Sequence, residues 1–280
     1  MTDPDPVPDD VPADATLDPP GSIAVVGAGP LGIEAALYGR YLGYDVTLFE
    51  RRQVADHWRS RAAEPLPLPS SRCWSPLAAA ALEAQYPERF PAQGPLTIGQ
   101  WVDQGLVDLL ETDLLRGRLR APAEVTRIDL AERVDPDQGT AADQGAAADQ
   151  GVAADRKTDS GQSVDPVGAA TAEPSAAEEE SPPPDFRLTV RVPTDPEADG
   201  GRPAETAEIT ADFEAVIVAV GVGEAPDYGF AIPTDYLFRV GERELSDAEE
   251  SLREGFRQIV AIYAGLGGRS DLDLYRPRRV

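Results

Sequence analysis

Ser22-Ile23-Ala24-Val25-Val26-Gly27-Ala28-Gly29-Pro30-Leu31-Gly32 is the stretch on which the fold turns. Ser22 to Gly27 is a short apolar run ending in glycine, the pattern of a strand buried on both faces. Leu31 to Leu42 follows with helical spacing, and Ile33, Ala36, Leu37 and Tyr41 fall on one face. Asp45 to Glu50 reads as a second strand. Strand, glycine turn, helix and strand together predict a βαβ unit, hence a parallel sheet and an α/β fold.

The glycines predict what the turn is for. Gly27 permits a tight exit from the strand, and Gly29 has no Cβ to hold a ligand's phosphates away from the backbone. Gly32 lets the helix pack close to the sheet. The helix start, around Ala28, Pro30 and Leu31, offers unpaired N–H groups, none of them from Pro30 itself, and about half a positive charge, which suits a diphosphate. Glu50 ends the second strand, where a carboxylate accepts hydrogen bonds from ribose hydroxyls and repels a 2′-phosphate. In this strand–turn–helix setting Gly-x-Gly-x-x-Gly is a dinucleotide fingerprint of Rossmann type. A turn kept only for packing is the alternative. Pro30 and the early position in the chain point to FAD; the turn alone would also accept NAD.

Outward from this unit, Ser75-Pro76 reads as a helix cap and first turn, opening a helix toward Gln85. Thr97 and Gln100 have capping-box spacing before a helix to about Arg116. Glu124 to Leu130 reads as a strand, and Phe186 to Val192 with Ala207 to Phe213 as a long-tipped hairpin. Ala215 to Val220 is another buried strand, and Tyr236 to Val240 a last short one. Ser246 and Glu249 have capping spacing before a helix with Leu252, Phe256, Ile259 and Tyr263 in one stripe, closing near Gly265 to Gly268. The expected architecture is a Rossmann-type fold with a β-hairpin extension and a small helical insertion between about Arg51 and Arg120.

Residues 1–20 are acidic and proline-rich and read as a disordered tail; residues 21–280 read as a single FAD-binding domain. A low-complexity loop, 134–184, interrupts that domain. It contains the tandem hexapeptides DQGTAA, DQGAAA and DQGVAA and no aromatic residue. The formal net charge of -25 repels phosphate backbones, so nucleic acid is not an expected partner. Cys73 is the only cysteine and His57 the only histidine, which excludes a dithiol redox pair and His/Cys metal clusters. No signal-peptide pattern and no membrane-length apolar run is present, so a cytoplasmic protein is expected.

Five stretches carry a family resemblance: SIAVVGAGPLGIEAALYGRYLGYDVTLFERRQV, SPLAAAALEAQYPERFPAQGPLTIGQWVDQGLVDLL, APAEVTRIDL, ADFEAVIVAVG and YLFRVGERELSDAEESLREGFRQIVAIY. They resemble the flavin-containing monooxygenase and pyridine-nucleotide-disulfide reductase superfamily, in particular its bacterial lysine N6-monooxygenase-like group. The resemblance implies FAD as cofactor. It places Val125 against the adenine, and Arg51 beside Glu50 among the cofactor-binding residues. Ala219-Val220-Gly221, followed by Pro226, resembles the family's ATG motif, with Val220 where threonine is usual. Gly241-Glu242 resembles its GD motif, whose acid binds the ribityl chain, and the helix around Gly255, Arg257 and Gln258 would point its first half at the flavin. Two departures stand out. Relatives insert an NAD(P)H domain between the ATG-like and GD-like strands; here Gly221 and Tyr236 lie 15 positions apart. The loop after Glu50 normally carries flavin-contacting glycines and aromatics; this chain reads ADHWRSRAAEPLPLPS. The expected partner is a small-molecule substrate or an electron-donor protein, without membrane or metal. His57 is a possible general base but reads more simply as a surface histidine. Trp58, Trp74 and Trp101 could wall a substrate pocket but read more simply as core or cap aromatics, and Cys73 as a small buried or half-buried thiol.

Overall fold

The computed structural model describes residues 16–88, 94–131, 185–194, 206–221, 223–232, 234–243 and 247–276. β1 (Ser22–Val26) pairs in parallel with β2 (Asp45–Phe49), from Ser22 opposite Asp45 to Val26 opposite Phe49. On its other side it pairs in parallel with β7 (Ala215–Val218). β3 (Leu119–Arg120) lies beside β2 and β9 (Leu237–Arg239) beside β7, giving a five-stranded parallel sheet in the order β3-β2-β1-β7-β9.

Alternate residues of the central strands feed two different cores. Ile23 and Val25 of β1, with Ala215 and Ile217 of β7, pack into a core shared with the helices. Ala24 and Val26, with Val216 and Val218, pack into a second core with Ile128, Phe186, Leu188 and Val190. Burial on both faces explains why these strands read as continuous apolar runs rather than alternating ones.

The second core lies under a four-stranded sheet, β6-β5-β4-β8. β5 (Asp185–Pro193) and β6 (Thr206–Phe213) form the expected antiparallel hairpin, from Phe186 opposite Phe213 to Pro193 opposite Thr206. The hairpin belongs to a larger sheet. β4 (Glu124–Ala131) joins it antiparallel, and β8 (Asp227–Tyr228) joins β4 in parallel. The alternating pattern of β5, with Phe186, Leu188 and Val190 fully buried, matches a sheet with one face on the core.

α1 (Pro30–Leu42) has proline in its first turn and ends at Gly43, whose φ of 95° is left-handed. Ile33, Ala36 and Leu37 are buried as expected; Tyr41, in the last turn, is exposed. α6 (Ala248–Leu266) lies against α1, and a Cβ on Gly39 would sit 2.4 Å from the Tyr263 hydroxyl. That hydroxyl donates to the Ala35 carbonyl at 2.8 Å. The cap of α6 is Asp247, whose Oδ1 accepts the Glu249 N–H at 3.0 Å, one residue after the expected Ser246, which lies outside the described residues.

The helical insertion contains α2 (Asp56–Arg59), α3 (Pro76–Gln85), α4 (Ile98–Trp101) and α5 (Val107–Leu110). Ser75 caps α3 by accepting the Ala78 N–H at 2.9 Å, and Thr97 and Gln100 form the expected capping box. Between α4 and α5 the chain widens into a π turn, Val102–Leu106, where a Cβ on Gly105 would lie 1.7 Å from the Trp74 ring. The helix stops at Leu110 rather than near Arg116: buried Thr112 bonds back to the Leu109 carbonyl at 2.6 Å and a series of turns follows.

The tail expected over residues 1–20 is shorter at its inner end. Leu17 is buried, its N–H donates to the Leu266 carbonyl at 2.8 Å, and its carbonyl accepts the Tyr44 hydroxyl at 2.8 Å. The first fifteen residues and the loop read at 134–184 lie outside the described residues. Among the described residues no helix is long and apolar enough to cross a membrane.

Candidate functional site

β1 runs into Gly27, whose φ of 104° is the left-handed geometry that glycine favours. Its N–H donates to the Phe49 carbonyl at 2.8 Å, which fixes the turn to the end of β2. The three fingerprint glycines differ in what crowds them. A Cβ on Gly27 would lie 2.8 Å from the Ala219 carbonyl oxygen, and one on Gly32 would lie 1.8 Å from the Gly27 carbonyl oxygen. One on Gly29 would meet nothing within 4 Å. Gly27 and Gly32 therefore hold helix and sheet together, while Gly29 leaves open the space in front of α1. No side chain caps α1 and no acidic residue occupies its first turn, so its leading N–H groups have no side-chain acceptor.

Glu50 is 8% exposed, and each of its carboxylate oxygens accepts a backbone N–H. Oε2 accepts the Ala28 N–H at 2.9 Å and Oε1 accepts the Arg52 N–H at 2.9 Å. Ala28 is buried, and its carbonyl accepts the Ala55 N–H at 2.9 Å. One carboxylate thus ties the glycine turn to the loop after β2 before any ligand is considered.

A cavity of about 1060 Å³ opens along this turn. That is at the upper end of the roughly 300–1,000 Å³ usual for small-molecule and cofactor sites. Gly27, Gly29, Pro30, Leu31, Glu50, Arg51, Val125, Ala219, Val220, Gly221 and Gly241 all line it. Ala28 and Gly32 lie behind it as framework. Glu242 is not among the lining residues: its half-exposed carboxylate pairs with Arg239. The position expected to hold an acid toward the ribityl chain therefore presents Gly241, with a φ of 72° and an N–H donated to Gln258 Oε1 at 3.0 Å. The first half of α6 does reach the cavity, through Ala248, Ser251 and Leu252.

Some lining residues were not legible as such. Ala55 is buried with a φ of 54°, a left-handed conformation that an alanine rarely adopts, and it opens α2. Nothing in its sequence neighbourhood signals that geometry. α2 brings His57 and Trp58 to the cavity wall. Trp58 stands edge-on to buried Trp101 at 5.4 Å, and the Arg61 guanidinium lies 5.8 Å from the Trp58 ring centroid. His57 is exposed, and its ring contact is with Trp58 at 6.1 Å. Cys73 is buried, donates to the Ser70 carbonyl, and has its thiol pushed up to about 12 by burial, which suits a packing role. Among the described residues no group of three or more His, Cys, Asp or Glu side chains is placed to hold a metal.

Residues 219–236 connect β7 to β9 with only the short β8 between them. At Gly221 to Gly223 the chain closes a turn, Gly223 N–H to Val220 carbonyl at 3.1 Å, and leads to a strand rather than a helix. Among the described residues of this connection there is no helix.

The pyridine nucleotide-disulphide oxidoreductase family model matches residues 22–56, the span from β1 to the start of α2. The NAD-dependent dihydropyrimidine dehydrogenase subunit PreT homolog of Salmonella typhi is 37% identical over 51 residues, as is the PreT subunit of Salmonella typhimurium. That stretch is 18% of this chain and 12% of theirs. Solved structures similar over a larger span include a closed form of cyclohexanone monooxygenase, at 15% identity and a TM-score of 0.40, over 76% of this chain and 27% of that one. The bacillithiol disulfide reductase Bdr from Bacillus cereus superposes at 10% identity and a TM-score of 0.38, over 72% of this chain and 40% of that one. The local match coincides with the glycine turn and its carboxylate. Residues 22–56, the βαβ unit, are what this chain shares with the pyridine nucleotide-disulphide oxidoreductase family model, and the match ends at the start of α2.

Proposed function

We propose that this chain binds FAD and serves an oxidoreductase reaction whose electrons come from an organic substrate or a partner protein. The observation that carries the reading is the open space over Gly29, at an uncapped helix start, beside a buried carboxylate and within a cavity that continues from Val125 to Gly241. The residues present fit the group. Gly29 and the leading N–H groups of α1 would take the pyrophosphate, Glu50 and Arg51 the adenosine ribose, and Phe49, Ala123 and Val125 the adenine. Gly221, Gly241 and the start of α6 would flank the isoalloxazine. Bound FAD would supply two-electron redox chemistry. The chain's own part is to hold the dinucleotide extended and to shield one side of it with Trp58 and Trp101.

The test is the absorbance spectrum of freshly purified protein, followed by titration with FAD and, separately, NADH. A flavin spectrum or saturable FAD uptake supports the reading. Colourless protein that binds NADH and not FAD overturns it in favour of an NAD site. A second reading, a non-catalytic FAD- or ADP-binding protein, is favoured by His57: among the described residues its ring is paired with no carboxylate. Rapid turnover of reduced flavin with a defined acceptor would exclude that second reading.

A further inference from the structure

Glu34 lies in the second turn of α1, just beneath the glycine turn, and is 4% exposed. Its Oε1 accepts the Tyr275 hydroxyl at 2.9 Å, and the Ser75 hydroxyl bonds the same carboxyl. Ser75 Oγ accepts the Ala78 N–H with one lone pair and keeps a second, so it can accept the O–H of an uncharged Glu34 as well as donate to an ionised one. One carboxyl therefore joins three segments distant in sequence: α1, the start of α3, and residues 269–276.

The groups facing it are mostly uncharged. α3 presents Ser75 and Ala78, α5 presents Leu109, and α6 presents Leu252, Phe256 and Tyr263, whose hydroxyl is spent on Ala35. Buried Cys73 and the Trp74 and Trp101 rings complete the wall. Tyr38 and Tyr41 share its helix. The charges nearby act on those tyrosines: Arg269 and Asp273 on Tyr38, Asp113 on Tyr41. Among the described residues no arginine or lysine pairs with Glu34. A carboxylate buried with two hydroxyls and no cation is expensive to keep ionised. Burial accordingly pushes its pKa from 4.5 up to about 7, with Ser75 and Tyr275 pulling the other way.

Residues 269–276 are also held at their start, where the Arg269 N–H donates to the Ala264 carbonyl at 2.9 Å, and by Leu272, Leu274 and Tyr275, which pack against the core. The Leu274 N–H donates to the Tyr38 hydroxyl at 3.0 Å, and the Tyr275 ring rests edge-on to Tyr38 at 5.3 Å and tilted against Phe256 at 5.5 Å. Pro30, Trp101 and Leu252 line both the small void of about 10 Å³ around Glu34 and the large cavity, so a change at one reaches the wall of the other.

We propose that Glu34 is a proton-dependent clasp: uncharged, it fastens residues 269–276 to α1 and the start of α3, and its ionisation releases them. The released segment lets water reach the carboxylate and exposes the side of α1 opposite the sheet. This inference does not rest on the flavin reading.

Hydrogen exchange of the full-length protein, expressed as protection relative to the intrinsic rate, tests it at about pH 5.5 and about pH 8.5. If the closed and open forms ionise near about 7 and 4.5, protection of residues 269–276 falls about thirty-fold between those pH values while β1 stays unchanged. Glu34→Gln, which cannot ionise, abolishes the fall. Tyr275→Phe, which removes the tether without touching α1, loosens the segment already at the lower pH. A pH-independent segment in the unaltered protein, an equal fall in Glu34→Gln, or a Tyr275→Phe profile matching the unaltered one overturns the proposal.

Discussion

Alanine placed at Gly29 or at Gly32 separates cradle from framework within one motif. At Gly32 the new Cβ would start 1.8 Å from a backbone oxygen, that of Gly27. Carbon and oxygen need more than 3.0 Å, so α1 or the turn must move by over an ångström. No rotamer change relieves a backbone contact. The cost lies at or beyond the top of the about 1–3 kcal/mol seen for overpacked sites. At Gly29 the φ of -79° and ψ of 179° suit alanine, and the Cβ meets nothing within 4 Å. Alanine is a poorer cap than glycine but stiffens the unfolded chain, so the net change stays within about 1 kcal/mol. Its methyl would instead stand where the pyrophosphate must approach, and FAD affinity should drop at least about ten-fold, or about 1.4 kcal/mol. Urea unfolding of both variants without flavin, then FAD titration of Gly29→Ala, reads the two effects apart. Equal destabilisation by the two alanines, or undiminished FAD binding by Gly29→Ala, would refute the division of roles.

Glu50→Ala should destabilise the flavin-free protein by about 2–5 kcal/mol, because the Ala28 and Arg52 N–H groups both lose a charged acceptor; an unchanged urea midpoint would mean Glu50 serves ligand alone. Gly39→Ala should cost about 2–3 kcal/mol by driving Tyr263 off α1, and Tyr263→Phe in the same chain should recover part of it, as a double-mutant cycle measures. Glu34 keeps its proton more firmly in the folded state, so its contribution is complete below pH 4.5 and is lost as pH rises to about 7. At about 1.4 kcal/mol per pH unit the loss is up to about 3 kcal/mol, so Glu34→Gln should gain on the unaltered protein by that amount from acid to neutral pH in urea unfolding.

The glycine turn was legible because its determinants are local. A φ of 104° at Gly27 and a helix start pressed onto its carbonyl admit only residues without a Cβ, whatever surrounds them. The apolar run of β1 and the carboxylate ending β2 follow from the same short stretch, and so did the Ser75 and Thr97 caps, each a bond made within three residues. The direction of the Glu242 side chain was not legible, because a half-exposed glutamate has several partners within reach; here it pairs with Arg239, at the end of β9.

What the sequence by itself determined is the βαβ unit, its glycine turn and its carboxylate at Glu50, since steric exclusion and helix-end polarity act over a few residues. Only the tertiary structure decided that β4 leaves the parallel sheet to join the hairpin, and that α2 turns on a left-handed Ala55. It alone brought the Tyr275 hydroxyl to Glu34 across 241 positions. Those choices depend on which distant surfaces pack together, and burial energy depends on area covered, not on the order in which residues are written.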